Sequence, residues 1–200
     1  MVAAPAGASG VCSPSVIVSG DPLAPDNFFL QPFSCRAAGE IFVARDTLIE
    51  AISVWRSAQR TNDLTPWQLF ITGVNSAFGY PDVLQVLLTG PTLVNQFGDG
   101  IHPVEFRFAF DPPFALPASG KYFFCIKEIT GFSSLPIVAD TTDSYPDGQA
   151  WSIGPTVDCQ GFGSARPYSP PTDLVFKIDF CEAATAARGH SWGEVKVRYH

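Results

Sequence analysis

The sequence predicts an all-β protein, an antiparallel two-sheet β-sandwich of jelly-roll type that ends in a short C-terminal tail. Three observations predict it. Phe106, Phe108 and Phe110 fall at every second position, the period of a strand with one buried face. The alternation resumes at Tyr122, Phe124 and Ile126 after a link in which Pro112, Pro113 and Pro117 have no N–H to give to a ladder, so two half-buried strands flank a surface connection. The chain also carries 17 Gly, 18 Pro and 17 Phe against a single Met and a charged fraction of 16%, which suits short strands and tight turns and not long helices.

The elements follow in order. Residues 1–15 read as a small-residue leader, residues 16–182 as the sandwich, and residues 183–200 as a linker and terminal segment. Val16-Ile17-Val18 is a first short strand, broken by Gly20-Asp21-Pro22. Ile41–Val43 follows. Leu48–Trp55 then places Leu48, Ile52 and Val54 on one face and Ile49, Ala51 and Trp55 on the other, the pattern of a central or covered strand. Trp67, Leu69 and Ile71 are in phase, residues 75–81 form a turn-rich link, and Val83–Leu88 fits helix or strand. Gly98-Asp99-Gly100 turns the chain into the phenylalanine ladder, where Glu105 and Arg107 point outward as candidates for a cross-strand charge pair. Ile137–Ala139 and Trp151–Ile153 are short strands, residues 159–171 read as a Gly/Ser/Pro-rich surface excursion, and Leu174, Phe176, Ile178 and Phe180 alternate most cleanly of all. Strands about ten residues apart without a βαβ rhythm give the two-sheet sandwich.

Charge and cysteines bound the setting. With 12 Lys+Arg against 19 Asp+Glu, net −7, the surface repels polyanions, so nucleic acid is excluded as a partner. No apolar run reaches the length that spans a bilayer, so no membrane insertion is expected. Met1 to Gly10 has neither the basic region nor the apolar core of a secretion signal and suits a start codon placed ahead of a mature N terminus. The five cysteines contain no CxxC, which excludes a thiolate zinc knuckle. Two bridges and one free thiol can be drawn in about fifteen ways. The expected pairing is Cys12–Cys35 and Cys159–Cys181, each tying segments near a chain end, with Cys125 as a buried free thiol. The alternative is five small buried apolar residues in a reducing compartment.

For chemistry the chain offers little. His102, His190 and His200 are the only histidines, no Gly-x-Ser-x-Gly elbow occurs, and His102 sits in a turn where a solvated ring is expected. No catalytic residue is therefore assigned. The loop from Asp140 to Gly148 is the candidate site: Asp140, Asp143 and Asp147 are hard oxygen donors of the kind calcium takes, although aspartates also serve turns by capping nearby amides. Tyr145 and Trp151 lie in or just after this loop, Tyr80 is in a Tyr-Pro-Asp turn, and Tyr168 is in the Arg-Pro-Tyr-Ser-Pro-Pro stretch. Rings on proline-braced loops make flat platforms for sugars, with Asp143 beside them to fix hydroxyls; the competing reading is that they cap the ends of the core.

Five stretches together carry a family likeness: residues 48–55, Gly79-Tyr-Pro-Asp-Val-Leu84, the Phe106–Phe110 strand with Pro113-Phe-Ala-Leu116 and Gly120-Lys-Tyr-Phe123, Asp143-Ser-Tyr-Pro-Asp-Gly-Gln-Ala-Trp151 and Asp173-Leu-Val-Phe-Lys-Ile178. From about Val16 to Cys181 the chain resembles the non-catalytic jelly-roll modules, similar to carbohydrate-binding modules, of secreted bacterial multidomain proteins. The resemblance implies a secreted or cell-surface module that binds a glycan or surface polymer without catalysis. The terminal Ser191-Trp-Gly-Glu-Val-Lys-Val-Arg-Tyr199 resembles the ends of exported bacterial proteins; Ser191 and Glu194 make a capping box, and Trp192, Val195 and Tyr199 share a helical face. This segment motivates the alternative, a subunit of a surface layer or filament whose partners are copies of itself, paired through strand edges or the tail.

Overall fold

The computed structural model describes residues 15–30, 32, 35–58, 65–130, 135–156 and 161–181. Among them the only regular elements are strands, arranged in two antiparallel sheets that face each other. One sheet is built from β1 (Val16–Ser19), β13 (Phe176–Cys181), β4 (Leu48–Arg56), β9 (Ile137–Asp140) and β12 (Asp173–Leu174) in that order, with β2 (Phe28–Leu30) on β9 and β7 (Val104–Ala115) on β4. The other runs β11 (Phe162–Pro167), β10 (Ala150–Pro155), β3 (Ala37–Ala44), β8 (Gly120–Glu128), β5 (Pro66–Val74) and β6 (Pro81–Val94). The chain changes sheet at most connections, so neighbours in sequence lie across the core from one another. The sandwich expected from the alternation is present.

Burial follows the predicted phases in β5, β13 and the first half of β7, whereas in β4 the irregularity between Ile49 and Ala51 brings Ile49 into the main core with Ile52 and Val54, against the predicted alternation. Phe106, Phe108, Trp67, Leu69, Ile71, Phe176, Ile178 and Phe180 all enter the core between the sheets. β4 is buried on both faces and central, bonded to β13 on one side and to β7 and the start of β9 on the other. Outside the core, Arg107 bonds Asp179 on β13 and lies 3.6 Å from Glu50, while Glu105 accepts from Ser53 Oγ at 2.6 Å. The outward face of β7 is thus bound to its neighbours by charge, with Asp179 and Glu50 as the acidic partners of Arg107.

Several sequence expectations change. The proline link is not a break: β7 runs on to Ala115, and the residues around Pro112 and Pro113 bulge out between the pairs Ala51–Ala109 and Ile49–Phe114, which leaves their missing N–H groups without a ladder to disrupt. Val83–Leu88 is strand, the middle of the 14-residue β6. Within the supposed excursion 159–171, Phe162–Pro167 forms the edge strand β11, which pairs with β10. The final alternating run is divided at Val175: Leu174 pairs with Ala139, whereas Phe176 onward pairs with β4 and β1.

The largest departure concerns β8, expected to be half-buried. Tyr122, Phe124 and Ile126 do face the core, but Phe123 and Cys125 are also fully buried, in a second apolar cluster with Ala37, Ile41 and Ile153 on the outer face of the six-stranded sheet. A physical cause is visible in the rings of Phe70 on β5 and Phe162 on β11, which meet edge-on at 5.0 Å. Four strand spacings separate β5 from β11 in the sheet order, about 19 Å in a flat sheet, so the sheet must curl strongly. The curl turns its outer face into a hollow, closed where β11 approaches β6. Gly39 permits the tight packing beneath: a Cβ there would lie 1.9 Å from the Phe124 carbonyl oxygen and 2.6 Å from Cys125 Cβ.

Candidate ligand-binding groove

The hollow is held open by particular contacts. Lys127, on the outer face of β8, lays its ammonium 5.1 Å from the centre of the Phe162 ring and donates to the Gly161 carbonyl at 2.6 Å, fixing the start of β11 above the sheet. On the opposite rim the β5–β6 turn is self-bonded. Asn75 Oδ1 accepts from Ala77 N at 3.0 Å and Phe78 N at 3.2 Å, Gly79 N donates to the Asn75 carbonyl at 2.7 Å, and Asn75 N donates to the Tyr80 carbonyl at 2.9 Å. Gly79 has φ +73°, a conformation side chains disfavour, which explains glycine at the tip of this turn.

Between these rims lies a groove of about 530 Å³, within the size range of small-ligand sites. Tyr80, Val83, Leu84, Trp151, Phe162 and Ala165 supply its apolar walls, and Asn75, Asp82 and Ser164 its polar groups. Asp82 is the sole Asp, Glu, Lys, Arg or His among the residues that line it. Trp151 Nε1 is buried without a hydrogen-bond partner, so the indole is placed for its apolar surface and not by a fixed polar contact.

Of the five residues predicted to bind a ligand, this groove unites Tyr80 and Trp151, which lie 71 positions apart in sequence. Tyr145 and Tyr168 pack on the main core instead. Tyr145 meets Phe176 edge-on at 5.3 Å and its hydroxyl accepts from Val43 N at 2.9 Å. Burial raises both phenols above their ordinary range, partly offset by the Val43 bond for Tyr145 and by a Ser152 bond for Tyr168. The core-capping reading describes these two rings, whose polar tips are already bonded. Asp143 is exposed in the same loop.

The loop from Asp140 to Gly148 is stapled to the sandwich. Asp173 Oδ2 accepts from Tyr145 N at 2.8 Å, Ser144 Oγ lies 3.0 Å from Ser19 Oγ, and Asp140 accepts from both Thr142 N and Thr142 Oγ1 at 2.7 Å. Asp140 therefore serves a turn, and among the described residues no three His, Cys, Asp or Glu side chains gather as a metal-binding group, so Asp140, Asp143 and Asp147 do not converge as the calcium reading requires. Asp147 and Tyr145 instead border a smaller hollow of about 340 Å³, beside Arg45, Asp46 and the exposed edge of β1. His102 is exposed with Nδ1 2.6 Å from Asp99, as expected for a solvated turn histidine.

Among the described residues Cys125 is the free, buried thiol, pushed well above the ordinary thiol range by burial. Cys35 and Cys181 are disulfide-bonded. Cys12 and Cys159, which the expected pairing assigns to them, lie outside the described residues, as do Trp192 to Tyr199, the segment that motivates the self-assembly alternative.

Sequence reasoning missed Phe162 and Leu84. One signal was available: Tyr122-Phe-Phe-Cys-Ile126 is apolar in both phases, and a strand greasy on both faces needs cover on its second face.

Comparison with known protein families and with curated proteins yields no match. Among solved structures the chain is similar to the crystal structure of the cysteine protease and lectin-like domains of Cwp84, a surface layer associated protein of Clostridium difficile. The TM-score is 0.51 at 10% sequence identity, over 80% of this chain and 37% of that one. At this identity the likeness bears on the fold alone, and the chain spans well under half of the solved protein.

Proposed function

We propose that this protein is a non-catalytic module, secreted or displayed at a cell surface, that binds a glycan or other surface polymer in the groove between the β5–β6 turn and β11. One observation carries the reading: Tyr80 and Trp151, chosen from sequence as rings suited to sugar stacking, converge with Phe162 on one open groove provided with a few polar groups. The fold likeness to a solved surface-layer-associated chain that includes a lectin-like domain is in keeping with it. Neither a paired-carboxylate cleft nor a nucleophile with its base is needed for such a role.

A glycan array probed with the wild type and with Tyr80→Ala, Trp151→Ala and Asp143→Ala, each with and without calcium, tests the proposal. The expected result is a specific signal that falls in the Tyr80 and Trp151 variants, persists in Asp143→Ala and ignores calcium. Loss in Asp143→Ala alone, or a signal that needs calcium, contradicts it and restores the 140–148 loop as the site.

A further inference from the structure

Phe78 is 74% exposed and Leu84 91% exposed, yet neither belongs to a floppy tip. The bonds to Asn75 fix the turn that carries Phe78, and the Phe78 and Tyr80 rings stack at 5.7 Å between centres, only 11° from parallel. Single exposed apolar residues are ordinary, but a rigidly held, contiguous set that joins a groove marks an interaction surface. Tyr80 belongs to both the stack and the groove wall, and Leu84 stands on the same wall, so the apolar surface continues from the groove out over the turn.

We propose that Phe78 forms a second subsite continuous with the groove, and that the occupant is the interior of an uncharged, chain-like glycan in preference to a single terminal sugar. The inference rests on the glycan reading above. Length follows from geometry, because the apolar surface runs from the groove along the edge of the Tyr80–Phe78 stack to the outer face of Phe78, farther than one sugar covers. The absence of charge follows from electrostatics: Asp82 is the one carboxylate lining the groove, no Lys or Arg lines it, and the chain carries net −7, so uronic-acid or sulfated chains meet repulsion with no lining cation to offset it.

Titration calorimetry with soluble cello- and chito-oligosaccharides, from disaccharide to hexasaccharide, tests this, with oligogalacturonides as the charged comparison. In the wild type, affinity should rise on the order of tenfold with length. Phe78→Ala should lose that gain and keep the disaccharide affinity within about twofold; Leu84→Ser, on the groove wall itself, should weaken every length. As Phe78 is exposed, an unchanged thermal melt confirms that the variant is folded. Length-independent affinity, equal weakening of all lengths by Phe78→Ala, or preference for the oligogalacturonides overturns the subsite while leaving groove binding intact. Binding at no length overturns the glycan reading itself. Dimerisation of the wild type that Phe78→Ala abolishes assigns the surface to a second copy of the chain.

Discussion

Replacing Glu40 by glutamine should flatten the dependence of stability on pH. Glu40 lies on β3 with its side chain in the core, fully buried; Oε2 accepts from Leu174 N at 3.0 Å across the sandwich, and Oε1 has no partner. Burial holds its carboxyl well above the usual carboxylate range, the Leu174 bond opposes this, and the Asp173 charge adds to it. The unfolded chain gives up this proton in the ordinary glutamate range, so as pH rises the unfolded state binds fewer protons than the native one. Stability from this group is therefore complete below the unfolded value and is lost until pH passes the raised native value. One proton corresponds to a fall of at most about 1.4 kcal/mol per pH unit across that window. Glutamine keeps the shape and the acceptor for Leu174 but has no proton to lose. Urea unfolding at a series of pH values from about 5 to about 8 should show the difference between Glu40→Gln and wild type growing in favour of glutamine, by up to the stated slope. Parallel curves for the two proteins would refute the assignment of a neutral buried acid.

Three further outcomes follow from packing. Phe108→Ala, which empties a fully buried position in the main core, should cost about 3–5 kcal/mol in chemical denaturation. Gly39→Ala should cost about 3 kcal/mol or more, because its Cβ would fall 1.9 Å from the Phe124 carbonyl oxygen and drive β3 from β8; unchanged stability would show the strands are not so close. Cys125, buried and with its thiol pushed up, should resist iodoacetamide in the native protein at about pH 8 and react once denaturant unfolds it, as mass spectrometry of the modified peptide can follow.

The phases of individual strands were legible because a sandwich imposes the period directly: Phe106 and Phe108, or Trp67, Leu69 and Ile71, must share a face whatever the neighbouring strands do. Pairing and curvature were not. Phe162-Gly-Ser-Ala-Arg-Pro167 has too little apolar alternation to announce an edge strand, and it becomes one through β10. The groove exists because the six-stranded sheet curls until Phe162 reaches Phe70, a property of the whole sheet that no local window contains. Hence Tyr80 and Trp151 could be picked out as turn-borne or loop-flanking rings, while their meeting place, and the roles of Phe162, Leu84 and Phe78, could not. Tyr145 and Tyr168 carried the same local signature as Tyr80 and differ only in what lies beneath them, the core of the sandwich.

The central claim is that recognition occurs on the curled outer face and not at the 140–148 loop. Backbone amide NMR shifts of the full chain, recorded as the oligosaccharide selected by the array is added, test it most directly. The account predicts saturable shifts at residues 75–84, Trp151 and residues 161–165; shifts confined to residues 140–148, or to the exposed edge of β1, would contradict it.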